Sequence, residues 1–375
     1  MTYSEYDLRS GYPHMDLIQR DLLTNIMADL MQRDVALQYT FDRAGDPWSR
    51  EQLAAWLSTE QETPVTTEEL HITAGAIPAI DQISRYCTAA GDIILVENPT
   101  FYYLISKLEL NHCDVIGVPM EADGADLDAL EALCKQHGDR ISMFYCIPTY
   151  HNPTGYTYSA EKRRALVELA EKYDFTICED STYQMLHFDE TNMPPPLIRE
   201  FDTESGRVIT AGSFNKLILP ALRVGWIWAK ADQAEGIKAA KTAVTSAFMS
   251  QIVGELIARD EMNQMLDTAR TFYGDKYRLM VDALRANAPE WLQWVEPNGG
   301  YFIWLTLPEE LNATDVYAAT EAEGVTFLPG RNAFVRGEAP DRYMRICFAM
   351  QPDDVLVRGV EIMCDVLKKM PVKAG

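Results

Sequence analysis

The chain has 375 residues, of which 47% are hydrophobic and 24% charged; it is neither disordered nor fibrous, and it is long enough for one large domain with a smaller one beside it. With 56 acidic against 33 basic residues the net charge is −23, which excludes a broad nucleic-acid-binding surface and gives weight to individual arginines that could meet a small anion. Seven scattered cysteines without a CxxC pair speak against a metal centre, and the absence of a leader pattern or an apolar run of about 20 residues predicts a cytoplasmic protein that does not enter a membrane.

From about residue 70 to 230, short apolar segments alternate with helical patterns. The strands are expected at Leu70–Thr73, Ile93–Glu97, Val115–Val118, Ile141–Ile147, Phe175–Glu179, Val208–Ala211 and Val224–Trp228. Several are unbroken apolar runs, the mark of strands covered on both faces, so a mostly parallel seven-stranded sheet flanked by helices follows. Between them, Ala160 to Tyr173 places Leu166, Leu169, Ala170 and Tyr173 on one helical face, with Glu161, Lys162, Arg163 and Arg164 assigned to the solvent side. Long helices are predicted up to residue 287. The turn Pro297-Asn298-Gly299-Gly300 then leads to strands at Tyr301–Leu307 and Tyr343–Phe348 in a smaller α+β unit. The division expected is 40–287 for the large domain, and 1–39 with 288–375 for the small domain and N-terminal segment.

Polar residues cluster where the buried strands end, the place where open α/β sheets gather ligands. Thr73-Ala74-Gly75-Ala76-Ile77-Pro78 turns from a strand into a helix whose free amides suit a phosphate. Phe101 follows the next strand and can lie against a planar ring. Asn152 precedes Pro153, which holds its backbone extended and frees its amide for a ligand oxygen. Asp180 ends another strand, where a buried carboxylate requires a cationic partner, and Tyr183 lies three residues on. Finally, Ser213-Phe214-Asn215-Lys216 with Arg223 supplies an amine for an imine, and a hydroxyl and a guanidinium for a phosphate, as an aldehyde cofactor requires. Taken singly, each stretch also reads as an ordinary turn, core cluster or surface ion pair.

In order, Asn152-Pro-Thr-Gly155, Asp180-x-x-Tyr183, Ser213-x-x-Lys216 and Arg223-x-Gly225 resemble the pyridoxal 5'-phosphate-dependent proteins of fold type I, class I/II aminotransferase group. Leu37-Gln38-Tyr39, Pro297-x-Gly-Gly300, Pro329-Gly330-Arg331 and Arg345-x-x-Phe348 extend the resemblance over nearly the whole chain. It implies that Lys216 is the imine-forming lysine and proton shuttle, and that Asp180 faces the pyridine nitrogen. Asn152 and Tyr183 would meet the ring oxygen, Phe101 would stack on the ring, and Gly75, Ala76, Ile77, Ser213 and Arg223 would surround the phosphate. Tyr39 would reach the cofactor of a second subunit, which implies a homodimer with shared sites. Arg345 would hold the substrate α-carboxylate, with Asn152, Tyr12 and His14 also at the substrate. Relatives often carry serine and glutamine where Ala76 and Ile77 stand, and His14 reads either as an acid/base or as an exposed loop residue. The activity implied is transfer of an amino group between an amino acid and a 2-oxo acid. A biosynthetic lyase, cyclase or oxygen-using oxidase acting on one amino acid is the alternative, and a non-catalytic ligand-sensing domain a third.

Overall fold

The computed structural model describes residues 4–37, 42–241, 244–335 and 339–372. Its central sheet has eight strands. In chain order these are β2 (Leu70–Thr73), β3 (Ile93–Asn98), β4 (Asp114–Glu121), β5 (Gly124–Ala125), β6 (Ile141–Cys146), β7 (Thr176–Asp180), β8 (Val208–Ser213) and β9 (Gly225–Trp228), preceded in the chain by β1 (Tyr6–Asp7), which lies outside this sheet. The spatial order is β2-β9-β8-β7-β6-β3-β4-β5. The seven-stranded expectation is therefore one short. β5 is a two-residue antiparallel return at the edge of β4, too brief to leave an alternating pattern.

β3, β4, β6, β7 and β8 run parallel, and β9 lies antiparallel between β2 and β8. Successive residues point to opposite faces, and each face is buried. Ile94, Val96, Met143, Tyr145, Cys178 and Ile209 pack into one core, while Ile93, Leu95, Phe144, Cys146, Ile177 and Val208 pack into the other.

The helix Ala160–Tyr173 forms as expected, with the Ser159 side chain accepting from the Lys162 amide at its start. Arg163 departs from its assigned place. It is fully buried, and it donates to the carbonyls of Tyr158, Pro148 and Pro196 and to the Thr149 hydroxyl. A buried guanidinium is tolerable when its donors are occupied, and here the acceptors come from loops that helical periodicity does not register.

The smaller unit is an antiparallel sheet of β10 (Gln293–Trp294), β11 (Phe302–Thr306), β13 (Leu328–Pro329) and β14 (Tyr343–Cys347), in the order β10-β11-β14-β13. β12 (Val325–Thr326) pairs in parallel with β1, and the Cys347 amide donates to Leu8 O at 2.7 Å. The N-terminal segment is thereby tied against this second sheet and runs from there toward the ends of the large sheet's strands.

Candidate active site

Because β2 and the parallel strands point the same way, Thr73, Asn98, Cys146, Asp180 and Ser213 all emerge at one edge of the large sheet. The antiparallel β9 begins there, with Gly225 level with both Thr73 and Ser213. A side chain on Gly225 would meet Gly212 O at 2.6 Å and the Gly75 backbone at 2.8 Å, so glycine is what allows these three strand ends to close up.

Gly75 stands at φ +101 and opens the helix Ala76–Cys87 without any side-chain cap. The helix-start amides therefore face this edge unclaimed by a capping side chain, next to the Arg223 guanidinium and the Asn215 amide. Arg223 Nη2 donates to Ala74 O at 2.9 Å, and Ser213 Oγ accepts from the Asn215 amide at 3.2 Å. Gly75, Ala76, Ile77, Ser213 and Arg223 thus come together as a cradle for a dianion.

Asp180 lies beside that cradle, 6% exposed. Oδ2 accepts from the Tyr145 hydroxyl at 3.0 Å, and Oδ1 from the Thr182 amide at 3.0 Å and the Thr182 hydroxyl at 2.5 Å. Burial lifts its pKa above the ordinary carboxylate value despite these bonds. The cationic partner expected for it is absent among the described residues, since all three donors are neutral. This is the environment that suits a protonated ring nitrogen. Tyr183 is buried, edge-on to Tyr301 and Phe302, and burial pushes its phenol well up.

Lys216 follows β8 and is half-buried. Its amine donates to Gly11 O, and lies 5.8 Å from the centre of the Tyr12 ring and 5.6 Å from that of Tyr301. Burial brings its pKa down from 10.5 to about 8. The Tyr301 hydroxyl also donates to Lys216 O at 2.9 Å, fixing the backbone that carries the amine.

Arg345, on β14, is 5% exposed, and Met344, Ile346 and Phe348 around it are buried. Its Nη1 donates to Asn152 Oδ1 at 2.9 Å, its Nη2 to Arg9 O at 2.6 Å, and its guanidinium lies 4.1 Å from the centre of the Phe302 ring. Nε has no hydrogen-bond partner and no carboxylate pairs with the group among the described residues. Burial lowers its pKa. A buried, unneutralised guanidinium of this kind is suited to a ligand carboxylate.

Phe101 is half-buried just before the helix Tyr102–Leu108, and Tyr12 and Tyr103 are exposed. His14 differs from the exposed loop residue considered above. It is 9% exposed, its Nδ1 accepts from the Asp16 amide at 3.3 Å, and its own amide donates to the Tyr273 hydroxyl at 3.2 Å. Burial, with Lys276 next in effect, lowers its pKa. Tyr39 lies outside the described residues. Sequence reasoning missed Tyr145, Tyr301 and the carbonyls of Arg9 and Gly11. A tyrosine inside the apolar run of β6 was the signal for the first, because a buried phenol seeks a partner; backbone carbonyls carry no such signal. Among the described residues no group of His, Cys, Asp and Glu could hold a metal ion.

Residues 12–362 match the family model described as aminotransferase class I and II. The aromatic-amino-acid aminotransferase 1 of Thermococcus litoralis is 29% identical over 370 residues, covering 96% of this chain and 88% of the relative. The 2-aminoadipate transaminase of Thermus thermophilus is 28% identical over 364 residues, with 96% and 89% covered. The crystal structure of the Pyrococcus horikoshii kynurenine aminotransferase, in complex with PMP, superimposes with a TM-score of 0.91 at 27% identity, covering 98% of this chain and 92% of that one.

Proposed function

The chain belongs to the class I and II aminotransferases, pyridoxal phosphate enzymes of the aspartate aminotransferase-like fold, and from that premise we propose that Lys216 holds the cofactor and moves the substrate's α-proton. The bound cofactor supplies the electron sink that side chains lack. Asp180 keeps a proton on its ring nitrogen; Gly75, Ala76, Ile77, Ser213 and Arg223 hold its phosphate, Asn152 and Tyr183 its ring oxygen, and Phe101 its ring face. The observation that carries this reading is the coexistence, among the described residues, of a buried carboxylate without a cation and a buried guanidinium without an acid.

Arg345 grips the α-carboxylate through the Nε and Nη2 edge, exchanging Arg9 O for the ligand. With its pKa near 8, Lys216 has a sizeable neutral fraction at physiological pH and can accept a proton there. The Tyr12 and Tyr301 ring centres lie 5.8 and 5.6 Å from the amine. Tyr12 and His14, on the segment that also brings in the carbonyls of Arg9 and Gly11, border the substrate.

The amino donor carries an aromatic or extended side chain, and the acceptor is a 2-oxo acid. Support comes from Tyr12, Tyr102 and Tyr103, which leave apolar ring surface open, and from the aromatic and 2-aminoadipate activities named for the relatives. We assign a homodimer in which Tyr39 reaches the partner's site. The two domains are 40–287, and 1–39 with 288–375, a division supported by the pairing of β1 with β12. No helix among the described residues is long and apolar enough to cross a membrane, and seven free cysteines suit a reducing cytoplasm.

Borohydride reduction of the loaded enzyme followed by peptide mapping should label Lys216. A panel of amino acids should convert the cofactor to its pyridoxamine form, with aromatic and long-chain donors fastest and the return requiring a 2-oxo acid. Label on another lysine, or product released without any oxo acid, would overturn the assignment.

A further inference from the structure

Behind the turn that presents Asn152 lie two polar side chains to which none of these roles gives a task. Glu97, near the end of β3, and His151, the residue before Asn152, are both fully buried. His151 Nε2 stands 3.0 Å from Glu97 Oε2. The carboxylate also accepts from the Tyr158 hydroxyl at 2.8 Å and from the Ile147 amide at 2.9 Å. On the other side of the imidazole, Nδ1 accepts from the Thr154 amide at 3.3 Å and lies 2.8 Å from Thr154 Oγ1. An amide only donates, so Nδ1 is the accepting nitrogen, while Nε2 lies against Glu97 Oε2 without the alignment of a hydrogen bond.

The backbone of His151 is tied as well: its amide donates to Tyr156 O at 2.9 Å, and its carbonyl accepts from the Gly155 amide at 2.6 Å. The turn needs such holding, because Tyr150 sits at φ +48, where a side chain is strained. A plain turn could be packed with apolar groups instead, at a lower desolvation cost than a buried acid and imidazole. What directional polar contacts add is orientation. The residue they orient is Asn152, whose Oδ1 receives Arg345 Nη1 at 2.9 Å.

We propose that Glu97 and His151 are positioning residues for substrate binding: they lock the Tyr150–Tyr156 turn so that Asn152 aims the Arg345 guanidinium at the incoming α-carboxylate. This rests on the reading of Arg345 as the carboxylate clamp. Neither residue touches substrate, so their effect appears in KM through Arg345 and leaves the chemistry at Lys216 largely untouched.

The test compares His151→Leu, His151→Asn and Glu97→Gln holoenzymes with Arg345→Ala and with the His151→Leu/Arg345→Ala double variant. His151→Leu should raise KM for both the amino acid and the oxo acid about tenfold, as expected for one disturbed charge-assisted contact, with kcat reduced by less than about threefold. Borohydride labelling of Lys216 in the cofactor-saturated enzyme should stay at wild-type levels, while cofactor affinity should fall modestly because Asn152 also faces the ring oxygen. His151→Asn, which keeps an acceptor for the Thr154 amide, should recover part of the KM. In the Arg345→Ala background the His151→Leu penalty should vanish, because the group being aimed is gone. Wild-type KM in His151→Leu beside a raised KM in Arg345→Ala would overturn the inference alone, and so would a penalty that persists without Arg345. An unchanged KM in Arg345→Ala would remove the clamp itself. If His151→Leu fails to fold, the near-isosteric His151→Asn and Glu97→Gln are held to the same criteria.

Discussion

Replacing Asp180 by asparagine should separate stability from catalysis. The carboxylate is 6% exposed and, among the described residues, bound by Tyr145 and Thr182, and burial lifts its pKa above 3.8. An acid whose folded pKa exceeds its unfolded value holds its proton more tightly when folded. It therefore begins to destabilise the apoprotein as pH rises past the unfolded value, and the penalty is complete above the folded one. Asparagine removes that penalty. Its carbonyl can keep both Thr182 bonds and its NH2 can donate to the Tyr145 oxygen, although the Tyr145 hydroxyl proton then loses its acceptor and offsets part of the gain. At pH 7.5 the Asp180→Asn apoprotein should thus be at least as stable as wild type. With cofactor bound the sign reverses, because removing one partner of a buried charge pair costs about 3–5 kcal/mol. That should lower kcat by roughly two to almost four orders of magnitude. Calorimetry of apo and loaded protein, with stopped-flow measurement of the amino-acid half-reaction, checks both. An apo variant melting several degrees below wild type, or a loaded one within tenfold of wild-type kcat, would refute the reasoning.

Labelling of apoprotein Lys216 by an aldehyde, trapped with borohydride across a pH series, should show a midpoint near 8; a midpoint at the ordinary 10.5 would exclude the burial effect. The same lowered pKa destabilises the apoprotein below about pH 8, and the penalty should ease as pH climbs toward 10.5. Arg345→Ala should lower kcat/KM for α-amino acids by about 2–5 kcal/mol, roughly 30- to 5,000-fold, and leave an amine lacking the carboxylate unaffected. Steady-state rates with matched substrates decide it, and equal losses for both would contradict the clamp. Gly75→Ala places a methyl 3.0 Å from Arg223 Nη2 at φ +101. It should destabilise by about 1–3 kcal/mol and weaken cofactor binding about tenfold or more, as read by thermal melts and apoprotein titration. Unaltered affinity would show that the cradle lies elsewhere.

Much of the architecture was legible in local pattern. Mostly apolar runs marked strands at Ile93–Glu97 and Val208–Ala211, close to the observed Ile93–Asn98 and Val208–Ser213, because burial on both faces favours apolar residues at successive positions. The reactive groups stood out for the same reason: Asp180, Lys216 and Arg345 interrupt or end those runs, and a charge there needs a purpose. Arg163 was misplaced because periodicity records polarity and not partners, and its acceptors lie as far as 33 residues along the chain. The Gly11 carbonyl on Lys216 and the Arg9 carbonyl on Arg345 reach across 205 and 336 residues, and a backbone carbonyl is the same in every residue. Nor could the order of residues reveal that Tyr145 meets Asp180, or that Glu97 backs His151. Those meetings depend on which strands become neighbours and in what register. That outcome is settled only when the whole chain packs, since it is the sum of many distant contacts and not a property of any one segment.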